Sequence, residues 1–148
     1  MSFGFSISDV LVVAKLLSKV ISALSESTGS SLHYQELMST LYSYHRSVLE
    51  AEQICTLPAT QFHTATKNAI AHVVSQSLAP IEAFLAKIER YRGLGSKRLD
   101  RSSWRKVAWG IFKNEEVREL RAALAAHVDT LNLLITTAGA YATFEYME

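Results

Sequence analysis

Five histidines, one cysteine and a dense run of basic and aromatic residues are the groups in this sequence that could do chemistry. His33, His45, His63, His72 and His127 are scattered. No two have the spacing that sets a pair of imidazoles on one helix face beside a carboxylate. They read as surface or hydrogen-bonded histidines rather than metal ligands. Cys55 is the only cysteine, so no disulfide forms within the chain, which fits a reducing compartment. It continues an apolar seam and is expected to be a small buried thiol; a nucleophile needs an electropositive, accessible setting. Gly93-Leu94-Gly95-Ser96-Lys97 falls short of a phosphate loop. That loop has four residues between its glycines and follows a strand, whereas here one residue separates them and a helical pattern precedes. No Gly-x-Ser-x-Gly turn is present. Glu115 and Glu116 are accounted for by the start of a helix, where the dipole favours acids. No catalytic residue, metal or cofactor is expected, and the chain reads as a non-enzyme.

The remaining chemistry is recognition. Net charge is only +1, yet Lys87 to Lys113 holds nine basic residues against two acidic ones. Trp104, Trp109 and Phe112 are interleaved with Arg101, Arg105, Lys106 and Lys113. Such a field suits an acidic protein patch or an anionic membrane, with aromatics at the interface and bases on phosphate. Nucleic acid is the weaker fit. The bland alternative is a solvated face over a packed one: Trp104, Val107, Ala108 and Ile111 toward the core, Arg105 and Lys106 in water. Trp104 and Trp109 cannot point the same way from one helix, because five residues place them about 140° apart. The expected anionic-surface or partner patch is Lys97, Arg98, Arg101, Arg105, Lys106, Trp109 and Lys113.

Helices must position these residues. A chain of 148 residues with 49% hydrophobic and 20% charged content is expected to be one packed domain. Two prolines and six glycines are few for an all-β fold. Ser6-Ile7-Ser8-Asp9 has the form of a capping box opening a helix to about Ser25. Ile7, Val10, Leu11, Ala14, Leu17, Ile21 and Leu24 form its apolar stripe, Val13, Leu16 and Val20 widen it, and Val12 lies near the polar face. Leu11, Val12, Val13, Leu16, Leu17 and Val20 are therefore the candidate assembly or membrane-contacting helix; core packing is the commoner use of such a stripe. Lys15, Ser18, Lys19 and Ser22 interrupt Val10–Leu24 too often for a membrane span. A second helix runs from about Ser31 to Cys55, with Leu37, Leu41, Tyr44, Val48, Ala51 and Cys55 as a bundle seam. A third pattern runs from near Thr60 to near Arg92. Phe62, Ala69, Val73, Phe84, Ile88 and Tyr91 form its stripe, and Ile70, Val74, Leu78, Ile81 and Leu85 its flank. Pro80 predicts a kink or break near 77–79. A short helix over about 102–112 and a last helix from Asn114 complete an all-α bundle of four main amphipathic helices plus a short Trp-containing one. Val117, Leu120, Leu124, Val128, Leu131, Leu134 or Ile135, and Ala138 give the last stripe.

Three stretches carry a family resemblance: Met1 to Asp9 (MSFGFSISD), Arg101 to Lys113 (RSSWRKVAWGIFK), and Val117 to His127 (VRELRAALAAH). They resemble the N-terminal helical domains of filamentous-fungal STAND (NLR-like) proteins, the HeLo-like group, and the helix order fits essentially all 148 residues. The resemblance implies an all-α module at the front of a longer multidomain signalling protein of the cytoplasm. It also implies a role in non-self recognition and regulated cell death, through protein partners or self-association. Some relatives are thought to expose the first helix and attack membranes. The family offers no catalytic residue to carry over.

Overall fold

The computed structural model describes the backbone of residues 7–25, 32–56, 64–95 and 114–147, and the side chains of 8–25, 32–56, 64–90 and 115–139. All of it is helical apart from one turn residue: α1 Ile7–Ser25, α2 Leu32–Thr56, α3 Thr64–Gln76, α4 Leu78–Gly95 and α5 Asn114–Met147. No strand occurs among the described residues, as expected for an all-α bundle. α3 and α4 meet at Ser77, so they form one broken rod beside three continuous ones. The expected short helix over 102–112 lies outside the described residues, as do Thr60 and Phe62.

Pro80 explains the break. It has no N–H to offer the Gln76 carbonyl, and its ring crowds that carbonyl. The chain turns instead through Ser77, whose amide bonds the Val74 carbonyl at 3.1 Å while its own carbonyl accepts from Ile81 at 3.1 Å. The Ser77 hydroxyl also donates to the Val74 carbonyl at 2.6 Å. The Tyr44 hydroxyl then donates to Ser77 Oγ at 2.6 Å, fixing the break to the middle of α2. The end of α1 is tied down similarly. Tyr34 donates to the Leu24 carbonyl at 2.9 Å and Ser25 to that of Ser22 at 2.9 Å, satisfying acceptors that a helix C-terminus leaves open.

Three cross-links set the pairing of α2 with α5, the most extensive contact in the bundle. Glu36 meets Arg121 at 3.6 Å, Tyr44 stacks on His127 with centroids 6.1 Å apart, and the Ser47 hydroxyl donates to Asn132 Oδ1 at 2.8 Å. The sequence separation of these pairs is nearly constant, 85 positions for the last, so the two helices run parallel. α1 packs against α2, α3 and α4, and α5 against α2 and α3. Around the bundle the order is therefore α1, α2, α5, then the α3–α4 rod back to α1.

The core follows the expected seams closely in α2 and α5. Leu37, Leu41, Tyr44, Val48, Ala51 and Cys55 are buried on α2; Val117, Leu120, Leu124, Leu131 and Ala138 on α5. Two expectations need correction. In the α3–α4 rod the expected stripe and its flank are both buried, Val73, Phe84 and Ile88 with Ile70, Val74, Ile81 and Leu85, but Ala69 of the stripe and Leu78 of the flank are only half-buried. The break at Ser77 rotates α4 relative to α3, so no single periodic stripe runs through both. In α1, Leu11 was expected in the core stripe but is 37% exposed, while Val13 and Val20, expected at its margin, are fully sealed. Neighbours on three sides centre the buried arc on Leu17, and Leu11 falls at its edge.

Candidate interaction site

The two sequence-derived patches fare differently. Lys97, Arg98, Arg101, Arg105, Lys106, Trp109 and Lys113 all lie outside the described residues. The six residues of the candidate helix are described and do not share a face. Val13, Leu17 and Val20 are sealed in the bundle, Leu16 is half-buried, and only Leu11 and Val12, 37% and 43% exposed, reach solvent. Leu11 and Val12 sit about 100° apart on the helix, with Ser8 and Lys15 between them. They form no continuous apolar surface. By length and composition, the one stretch among the described residues apolar enough to cross a membrane is Thr64–Arg90, not α1. Much of it is buried in the bundle, and Pro80 and the turn at Ser77 divide it.

The side chains with unusual electrostatics are structural in setting. Tyr44 is sealed between α2, the Ser77 turn and the His127 ring. Burial pushes its phenol up to about 12, with the hydrogen bond to Ser77 acting weakly the other way. Burial also holds His127 below its ordinary value, favouring the neutral ring that stacks on Tyr44. Cys55 is buried, and its thiol is pushed up by that burial against a smaller opposing pull from Lys67. A thiol so placed is a poor nucleophile. Ser77 and Tyr44 are both sealed from solvent, so this hydroxyl pair holds the core rather than a substrate. Among the described residues no group of three or more His, Cys, Asp or Glu side chains is placed to hold a metal ion.

What sequence patterning missed is a groove between α4 and α5. Its volume is about 480 Å³, and Pro80, Ala83, Phe84, Leu120 and Ala123 line it. Lys87 and Glu116 span it with an ion pair of 2.6 Å, and Glu119 stands on the α5 wall. Lys87 against Glu116, and Ser77 and His127 both against Tyr44, set the two helices antiparallel. They splay apart here, because α5 leans on α2 and α3 rather than on α4. No periodicity within one helix could reveal this, since Phe84 and Leu120 read as ordinary core-stripe positions and the groove depends on where two helices part. Elsewhere Tyr42 and Leu49 on α2 and Leu133 on α5 are exposed large apolar side chains, Leu133 at 68%.

Comparison with known proteins leaves the geometry to speak alone. No protein-family model matches this chain, and neither a curated protein nor a solved structure matches it significantly.

Proposed function

We propose that the chain is a non-enzymatic assembly domain that associates with protein partners or with copies of itself. In this reading it is the N-terminal signalling module of a fungal NLR-like protein acting in non-self recognition and regulated cell death. The resemblance of its opening and of its Trp-containing block to HeLo-like domains supplies the biological setting. The observation that carries the choice of an assembly role is the place of α1 in the bundle. A membrane effector must release that helix. Val10, Val13, Leu17, Val20, Ile21 and Leu24 are all buried between α2, α3 and α4. At about 1.5–3 kcal/mol per buried side chain, exposing them costs on the order of 10 kcal/mol. That is comparable with the roughly 5–15 kcal/mol that holds a whole domain folded. Releasing α1 into water therefore costs about as much as unfolding.

The alternative reading, a membrane-targeting effector using α1 and the basic block 97–113, rests on the charge of that block. Vesicle leakage measured beside light scattering separates the two. The assembly domain self-associates or binds protein without releasing dye from anionic vesicles. Leakage by the wild-type chain, lost in Val12→Asn with unchanged melting temperature, reverses the ranking.

A further inference from the structure

We infer that the outer face of α2 is a twofold self-association surface, on which Tyr42 of one copy packs against Leu49 of a second. This deepens the assembly reading and rests on it. Tyr42 and Leu49 are large apolar side chains, 54% and 43% exposed, two turns apart on one side of the helix. On α2, Tyr34 marks the side toward α1, and Glu36 and Ser47 the side toward α5. Tyr42 and Leu49 lie about 60–80° beyond Tyr34, so they form a strip on the α1-ward edge of the outer face. Arg46 and Glu50, ion-paired at 3.6 Å, form the other edge and line a cleft with Val128 and Asn132 of α5. Leu11 of α1 extends the strip. Counted along the axes from the Tyr34–Leu24 bond, it stands about 20 Å away and Leu49 about 22 Å. α1 runs antiparallel to α2, which turns the Leu11 edge of α1 toward α2 and the Ala23 edge toward α4, where Ala23 shares a cleft with Leu85 and Ile88.

Charge and symmetry select a second copy as the occupant. Gln35, Ser39 and Gln53 complete the outer face, so the formal charges on it are Arg46 and Glu50, which cancel. The outer face of α5 is the opposite case. Leu133 is more exposed there, but Glu115, Glu119 and Asp129 share that face against Arg118 alone, and two such faces repel. A twofold axis crossing α2 between His45 and Arg46 sets two copies of the helix antiparallel and lays each edge on its own counterpart. Tyr42 then comes opposite Leu49 of the second copy, twice over. The two Arg46 guanidiniums sit between the two Glu50 carboxylates as a balanced cluster. A parallel pairing instead sets the apolar strip against the charged edge. Tyr42, Leu49 and Leu11 are a small apolar contribution beside the roughly 800 Å² per partner of a standard stable interface, so the dimer is reversible.

Light scattering of the full chain across a concentration series should show its mass rise from one copy toward two. Leu49→Lys and Tyr42→Lys, at exposed positions, should each raise the dimer dissociation constant more than about tenfold, since a substitution acts twice in a twofold interface. Far-UV circular dichroism should keep the helix content in both. Arg46→Glu should weaken association likewise, and Arg46→Glu combined with Glu50→Arg should restore it. Oxidation reads the register. An equal mixture of Tyr42→Cys and Leu49→Cys chains should form a disulfide between copies. Neither variant alone should, because like positions lie about 10 Å apart along the axis. Cys55 is buried and takes no part. Mass that stays at one copy up to the solubility limit overturns the inference and leaves binding to other proteins as the assembly role. Association indifferent to both lysines overturns it equally, while self-assembly through another face stands.

Discussion

At the scale of single residues, Tyr44 joins three elements: its hydroxyl reaches the Ser77 turn, its ring stacks on α5, and its backbone lies mid-α2. Tyr44→Phe keeps the ring and leaves Ser77 without its donor. The expected loss is about 0.5–1.5 kcal/mol, read from urea unfolding. The pH dependence is more specific. The folded phenol titrates near 12 and the unfolded one near 10. Its contribution is therefore complete below pH 10 and is lost as pH rises toward 12, because the unfolded chain releases the proton first. Wild type should lose stability over that window relative to Tyr44→Phe; equal slopes mean the hydroxyl is not held as described. His127 acts at the opposite end. Its folded value is lowered, so its contribution is complete above the unfolded value of 6.5 and is lost as pH falls below it. His127→Gln should flatten that acid slope. The Tyr44 seam position was plain from periodicity. Its two partners, one on the broken rod and one on α5, were not, because nothing in local sequence states which helix lies opposite.

At the scale of elements, burial and not composition decides what each apolar residue of α1 contributes. Leu17 is sealed, and Leu17→Ala should cost about 2–5 kcal/mol through the cavity it leaves. Leu11 has the same chemistry but stands at the edge of the arc, so Leu11→Ala should cost well under half as much. Equal losses in thermal melts would mean that α1 is rotated from this packing. α5 offers a gain. Gly139 lies inside the helix with an ordinary φ, and a Cβ there meets nothing within 4 Å. Gly139→Ala should stabilise by about 0.5–1 kcal/mol, from helix propensity and a less flexible unfolded chain. The helices of the described regions and the Pro80 break were legible in sequence, as were the α2 and α5 seams. Helix period and proline geometry are local properties. The burial of Val13 and Val20, the demotion of Leu11 and the α4–α5 groove were not legible. They depend on how many neighbours surround a helix and where two of them part.

At the scale of the whole molecule, the order of packing makes α1 inseparable from the rest. α1 lies between α2 and the α3–α4 rod, and its extensive contacts are with these elements. Removing α1 strips apolar cover from α2, α3 and α4 at once, so α1 is expected to open only together with the rest of the bundle. Such elements exchange their amide hydrogens only through global opening, whereas detachable ones exchange through cheaper local events. Native-state hydrogen exchange therefore reads the two functional proposals directly. Amides of Val13 to Val20 should show the full unfolding free energy, with the same denaturant slope as the centre of α2 near Tyr44. A helix poised for release would instead exchange at a distinctly lower free energy with a shallow slope, while the α2 and α5 amides stayed at the global value. That second pattern would sink the assembly-domain reading even without any vesicle present. The released helix would then carry Val13, Leu17 and Val20 outward as one apolar face.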